Sequence, residues 1–560
     1  MEIKSKLNLD WYRGEDGYSD GDIENDIIKY MTENAPEDYG RTIMEHYSWP
    51  VYYHLTHTRQ NLLNWYPFKK EDFVLEIGCG MGAITALLCD RCGAVTAVEL
   101  SKRRAEAALL RCRGKDNLEI IAGNLNDIEF DRKFDYITLI GVLEYQGTYT
   151  NSDDPYKDFL VKVRSLLKEG GKLLVAIENK YGLKYWCGAA EDHTGIPFDG
   201  INQYKLSGAK VRTFSKEELS RLLEKSGYTN LFYYFPMPDY KLPTVVYSEK
   251  YLPNDGILEN VVPYYIPSDQ TLVAEEEAVY KDIVSNGVFD FFSNSYLVEC
   301  SAGNPKGVEE ERTVFALMSS KRQREYRVGT KIDASGHVIK FPLENNKHIR
   351  NHLIRTMKNG EKLENRGLKA LAYRMDGDNL VSDYLSLPLL EDSLYDAAAK
   401  RDTALLWRLW DELLEEIEKS SDGVEQKKCI IYELEIDCYE EGKDYGKILK
   451  EGYADMIPRN CFIREGKMLW FDQEWTLDHI PSKYILFRGM MNTYIRFAAM
   501  QEAIPMQEWL EHYGIDIHLP VFLSMDTLFD QMILDEYYAG HYAEKRDELI
   551  YKKNAAKLLQ

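Results

Sequence analysis

The run Val74–Gly82 carries an acid, a thiol and three glycines at alternate positions: Glu76, Cys79, Gly78, Gly80 and Gly82. Glycines so closely spaced let a backbone turn sharply and approach a small molecule. The order is E-x-G-x-G-x-G, not the G-x-G-x-x-G of a dinucleotide fingerprint, so the turn is tighter and no pyrophosphate is implied. Such a turn suits a cofactor that offers an amino-acid moiety to the glycines and an adenosine to the next strand. Glu99 closes the apolar run that follows, where an acid can accept hydrogen bonds from both ribose hydroxyls. A second chemically able group is Glu191-Asp192-His193. A third is Asp455, an asparagine at 460 and a second acid, Asp472, after a short hairpin.

The elements that must position these groups follow from apolar runs and their punctuation. Strands are expected near Val74–Ile77, Val95–Glu99, Leu118–Gly123, Phe134–Ile140 and Lys172–Ile177, with helices after the first, second and fourth. About thirty residues then follow a strand's carboxyl end, the side where ligands sit in such sheets. That insertion ends at Ser215, which with Glu218 reads as a helix capping box. Leu231–Phe235 and Pro243–Tyr247 read as an antiparallel end to the sheet, and residues 44–68 as helices over the cofactor.

Over about residues 44–248 these motifs resemble the class I S-adenosylmethionine-dependent methyltransferases. The resemblance implies an α/β, Rossmann-like sheet and S-adenosylmethionine as cofactor. Its contacts would be Glu76, Gly78, Cys79, Gly80, Gly82, Glu99, Leu100, Asn124, Leu125 and Gly141, with a polar side chain of the Gly123–Asp127 turn on the adenine amino group. The sulfonium already activates the methyl, so the protein mainly positions the acceptor and excludes water. A hydroxyl acceptor also needs a base, for which His193, Glu191 and Glu144 are candidates. A phosphate or carboxylate acceptor needs none, and His193 is equally readable as a structural histidine of a folded loop.

From about residue 300 the pattern changes to strands at Phe315–Met318, Tyr326–Ile332 and His337–Phe341, a long helix to about Asn365, then a hinge-like strand and a helix. This order, with Asp455, Asn460 and Asp472, resembles protein kinases and the aminoglycoside-phosphotransferase-like family. By that resemblance Asp455 accepts the substrate hydroxyl proton, Asn460 and Asp472 hold magnesium, and Lys340 clamps the phosphates of ATP, with Glu361 or Glu364 as its helix partner. There are departures. No glycine-rich loop joins the first strands, Ala454 precedes the acid, and Gln473-Glu474 replace Phe-Gly. A degenerate module that only binds or shapes the acceptor site stays open beside an active one, with a largely helical C-terminal part in either case.

With 560 residues the chain exceeds one core. The expected organisation is a helical cap over 1–68, the methyltransferase domain over 69–248, a linker or bridging segment over 249–300, and the kinase-like domain over 301–560. A net charge of −23 disfavours nucleic acid as a partner. No run has the length of a membrane span. Leu549–Leu559 is amphipathic with Lys552, Lys553 and Lys557, and reads as peripheral membrane contact or as a helix packed on the kinase-like lobe. Nine cysteines without a disulfide framework suit the cytoplasm, and Cys89-x-x-Cys92 reads as a pair of buried thiols. Forty tyrosines suit a sugar acceptor or simply a core. The two-part architecture resembles bifunctional enzymes that phosphorylate and methylate the ends of bacterial surface polysaccharides. A small-molecule O- or N-methyltransferase with a dead kinase module is the alternative, and a cofactor-sensing scaffold a third.

Overall fold

The structure, a computed structural model, describes residues 6–14, 16–17, 19–253, 271–303, 309–432, 443–538 and 550–558. The chain separates into two compact units. The first holds the described residues up to Ser320, Lys331–Ser335, and the described residues from Tyr537 on. The second holds Lys321–Thr330 and Gly336–Glu536.

Ten strands build the first unit's sheet: β1 (Lys6–Asn8), β2 (Phe73–Ile77), β3 (Ala94–Glu99), β4 (Leu118–Ala122), β5 (Phe134–Ile140), β6 (Leu167–Glu178), β7 (Thr229–Met237), β8 (Val245–Ser248), β9 (Ser295–Ser301) and β10 (Thr313–Met318). Their order across the sheet is β1-β4-β3-β2-β5-β6-β9-β7-β8-β10. β1 to β6 run parallel, and β9, β7, β8 and β10 continue the sheet antiparallel. Helices Ala83–Arg91, Lys102–Arg111 and Pro155–Ser165 are the crossovers, which explains why β3 is buried along its whole length: a parallel sheet has both faces covered. The order reverses between β2 and β5, and the crevice at the carboxyl ends of such a switch point is where ligands bind.

Three segments differ from the sequence-based expectation. Part of 249–300, read as linker or bridge, is β9, which separates β6 from β7 and is buried at all seven positions. The apolar run Tyr296-Leu297-Val298 is what a fully covered strand needs. Within 1–68, helices Ile23–Glu33, Tyr39–Glu45 and Trp49–Leu55 are present, but β1 precedes them and adds to the sheet edge beside β4. At the other end, β10 pairs with β8, so residues 313–318 belong to the first unit and not to the second. The helix Ile550–Leu558, expected on the kinase-like lobe, also belongs to the first unit, where Asn554 is buried and donates to the Leu272 carbonyl at 2.9 Å.

The second unit pairs His337–Pro342 with Asn379–Asp383, and the latter with Arg374–Asp376, all antiparallel. A helix, Lys347–Asn365, starts at the Asn346 side-chain cap and buries Ile349, His352, Leu353, Thr356 and Leu363, a spacing that makes one apolar face. Strands Ile448–Tyr453 and Thr476–Pro481 pair around the hairpin Cys461–Arg464/Lys467–Trp470. Helices Leu390–Ala399, Thr403–Lys419, Ser482–Arg496 and Leu519–Ile533 pack on them over a core that includes Trp410, Trp470 and Trp509.

Candidate active site

A cavity of about 390 Å³ opens at the carboxyl ends of β2, β3 and β5. The glycine turn forms its floor. Gly78, Gly80 and Gly82 all take positive φ, and a Cβ on Gly78 would sit 2.4 Å from Cγ2 of Val142. A Cβ on Gly82 would sit 2.9 Å from the Ala108 backbone, so this glycine lets two helices approach. Gly78, Cys79, Gly80, Glu99, Leu100, Asn124, Leu125 and Gly141 line the cavity. Glu76 and Gly82 do not. Glu76 is buried beneath the turn, accepts from Thr85 Oγ1 at 2.6 Å, and is pushed up to about 7 by that burial.

Glu99 accepts from the backbone N–H of Gly80 at 2.8 Å and of Ser101 at 3.0 Å. Burial raises its carboxyl, and those N–H groups with Arg104 hold the rise in check. Asn124 spends its amide locally, accepting from Asn126 N–H and donating to the Tyr149 carbonyl. The cap contributes Asp20, Trp49 and Tyr53 to the wall. It is tied down by Arg104, which meets Glu24 at 2.7 Å and Asp20 at 2.8 Å. Neither Asp20 nor Arg104 stands in a motif, and only their pairing in the fold, across 84 positions of sequence, reveals them.

The other end of the cavity is made by the insertion after β6. His193 and Asp192 line it with Glu144, Glu178, Tyr240 and Lys241, while Glu191 lies behind His193. Glu191 Oε1 meets His193 Nδ1 at 2.8 Å, and its Oε2 accepts the N–H groups of His193 and Thr194. His193 Nε2 stands 3.6 Å from Glu144 and 3.9 Å from Glu178. Burial alone would lower the imidazole, but Glu178, Glu144 and Glu191 outweigh it and hold it well above its ordinary value. Of the candidate bases, His193 lines the cavity, whereas Glu191 faces His193 and not the cavity. Behind them, Lys184 pairs with Asp192 and Asp239 at 2.8 Å, and Lys241 pairs with Glu178 and Asp192. Glu178, at the end of β6, is a site residue that the sequence placed on a strand end without a role.

In the second unit Lys340, Asp455, Asn460 and Asp472 do come together. Lys340 Nζ pairs with Asp472 and, at 2.7 Å, with Glu474. Asp455 Oδ2 accepts the N–H groups of Glu474 and Trp475, and Asn460 Nδ2 donates to the Asp455 carbonyl. Burial, with Glu474 and Asp472 nearby, pushes the Asp455 carboxyl up to about 7. Arg322 and Lys340 overcome burial to hold Glu474 well below the usual carboxylate range. Glu361 and Glu364 are not partners of Lys340. Both are exposed on the outer face of their helix, which turns His352 inward to within 3.5 Å of Glu474.

Residues 75–175 match the family described as a methyltransferase domain. A malonyl-[acyl-carrier protein] O-methyltransferase of Priestia megaterium is 31% identical over 178 residues, 31% of this chain and 59% of that protein. A ribosomal RNA small subunit methyltransferase A of Pelotomaculum thermopropionicum is 44% identical over 61 residues, 11% of this chain and 21% of that protein. This chain thus spans less than two thirds of the length of either relative. Among solved structures, the N-methyltransferase NodS of Bradyrhizobium japonicum with S-adenosyl-L-homocysteine is 16% identical, covering 32% of this chain and 78% of its own at a TM-score of 0.24. The first unit carries a class I S-adenosylmethionine-dependent methyltransferase domain. Among the described residues, no helix is long and apolar enough to cross a membrane.

Proposed function

We propose that the chain transfers a methyl group from S-adenosylmethionine to a glycan or glycan-linked acceptor bound at the His193 end of the cavity. The observation that carries this reading is one cavity lined at one end by the glycine turn and Glu99, and at the other by a buried polar cluster. The turn and Asn124–Leu125 would hold the cofactor, with Glu99 on the ribose. Trp49, Tyr53, Tyr145, Tyr149 and Tyr240 line the same space and offer flat apolar faces with polar edges, which suits a sugar ring. Glu178, Asp192 and Lys241 supply buried groups able to fix acceptor hydroxyls. The second unit would phosphorylate the same class of acceptor, with Asp455 accepting the hydroxyl proton and Lys340, Asn460 and Asp472 holding ATP and magnesium.

A specific observation favours a second reading for that unit. Lys340 is already closed by two carboxylates, and one of them, Glu474, is held in turn by Arg322 at 2.6 Å. A lysine so engaged suits a module that no longer transfers phosphate, beside a methyltransferase for a small molecule. The test is calorimetric titration of the whole chain with S-adenosylhomocysteine and with ATP and magnesium, followed by labelled methyl transfer to glycan and small-molecule acceptors. Absence of S-adenosylhomocysteine binding sinks the methyltransferase reading. ATP turnover that disappears in Asp455→Asn supports the phosphotransfer arm, and no ATP binding overturns it.

A further inference from the structure

The buried polar end of the cavity is more than an acceptor wall. We infer that Glu144, Glu178 and His193 form a divalent-cation site, of the Mn²⁺ or Zn²⁺ class, that holds the acceptor hydroxyl for methyl transfer. This rests on the methyltransferase reading above and adds to it a metal and the class of acceptor atom.

Three observations carry it. First, one oxygen from each carboxylate and Nε2 of His193 all lie within 4.8 Å of one another. A Zn²⁺- or Mn²⁺-like ion about 2.1 Å from each donor draws such atoms to roughly 3–3.4 Å apart. From the 3.6 and 3.9 Å that separate Nε2 from the two carboxylates, only small side-chain rotations are needed.

Second, Glu178 Oε2, the oxygen 3.9 Å from Nε2, is buried and accepts no hydrogen bond, and Glu144 Oε2, beside the Oε1 that stands 3.6 Å from Nε2, is buried and unpartnered as well. Buried carboxylate oxygens are ordinarily paired or bound to a metal. The other oxygen of Glu178 is occupied: Oε1 receives Tyr240 OH at 3.2 Å and the Lys241 ammonium, which leaves Oε2 on the His193 side.

Third, the outer partners of a metal-ligating histidine are in place. Glu191 Oε1 fixes Nδ1 at 2.8 Å, Tyr204 OH donates to the same oxygen at 3.1 Å, and two backbone N–H groups hold Oε2. A carboxylate on Nδ1 sets the ring orientation and presents Nε2 to a metal. An ammonium acceptor could satisfy the two carboxylates, but it would have no use for a donor nitrogen oriented in this way. Carboxylate and imidazole together suit Mn²⁺ or Zn²⁺ better than a cation that takes oxygen alone.

The chemistry balances without a protein base. The cation binds the acceptor oxygen and lowers its pKa, and the hydroxyl proton leaves to water. The alkoxide lone pair then forms the new O–CH₃ bond. The C–S⁺ bond breaks with its electron pair going to sulfur, which leaves the neutral thioether S-adenosylhomocysteine.

The experiment uses the full chain, stripped with EDTA and titrated with Mn²⁺ and separately with Zn²⁺, with S-adenosylhomocysteine binding measured on the same stripped protein. One Mn²⁺ per chain is expected, with ¹⁴N modulation from a histidine in pulsed electron paramagnetic resonance of the wild-type protein. Glu178→Gln should weaken Mn²⁺ at least tenfold while S-adenosylhomocysteine affinity stays within a factor of about three. Because Glu178 lies in a buried ion network, the ¹⁴N signal of the wild type stands as an independent readout should that variant not fold. Cofactor binding without stoichiometric Mn²⁺ or Zn²⁺, or bound Mn²⁺ lacking the nitrogen signal, overturns the metal site and leaves the methyltransferase reading intact. Metal binding without cofactor binding overturns the reading on which it rests.

Discussion

At the scale of single residues, two carboxyls carry consequences that can be measured. Glu99 is buried and already accepts two backbone N–H groups, so its removal would cost structure as well as binding. Glu99→Gln keeps the shape and one acceptor oxygen. It should weaken S-adenosylhomocysteine about tenfold or more by calorimetry, with circular dichroism unchanged, and an unchanged affinity would remove Glu99 from the ribose. Asp455 has a different signature. Its folded carboxyl sits at about 7 against an ordinary 3.8, so the native chain holds that proton more tightly than the unfolded one. The resulting stabilisation is full below about pH 4 and is lost as pH rises through about 7. Asp455→Asn removes the titration. Between pH 5 and 8 the urea midpoint of the wild type should therefore fall relative to that of the variant, and parallel profiles would count against a raised carboxyl.

At the scale of elements, the test falls on β9. Leu297 is fully buried between β6 and β7, so Leu297→Ala should cost about 2–5 kcal/mol in denaturant unfolding. A residue of a true linker would cost almost nothing. β2 to β6 were legible in the sequence because each is a compact apolar run closed by glycine or an acid, and Glu99 is the clearest of those endings. β9 was not, because Ser295–Ser301 holds an acid and two serines around its apolar centre, and its pairing with β6 spans more than a hundred residues. The site divides in the same way. The glycine turn announces itself locally, whereas Glu178, Lys241 and Asp239 acquire meaning only when β6 and the segment after β7 meet at Asp192. On the helix Lys347–Asn365 the acids nearest the expected position were legible, but which face turned inward was decided by Ile349, Leu353 and Leu363.

At the scale of the whole molecule, the chain crosses between the two units at residues 320, 330, 335 and 536. The methyltransferase unit is thus not a detachable N-terminal piece. Saturation with S-adenosylhomocysteine at about a hundred times its Kd should stabilise that unit by about 2.7 kcal/mol. Differential scanning calorimetry of the full chain should show this as a rise in one transition, and a scan unmoved by the ligand would speak against binding to the native state.

The placement of helix Ile550–Leu558 with the first unit has a further consequence, for the order of events on the ribosome. Its buried anchor, the Leu272 carbonyl, is translated some 280 residues before Asn554, since the two are 282 positions apart. At about 5–20 residues per second that is a delay of roughly 15–55 seconds. Throughout it the nascent first unit must do without that helix, while the second unit is being translated. A pause or premature stop late in translation would therefore damage the unit that was made first.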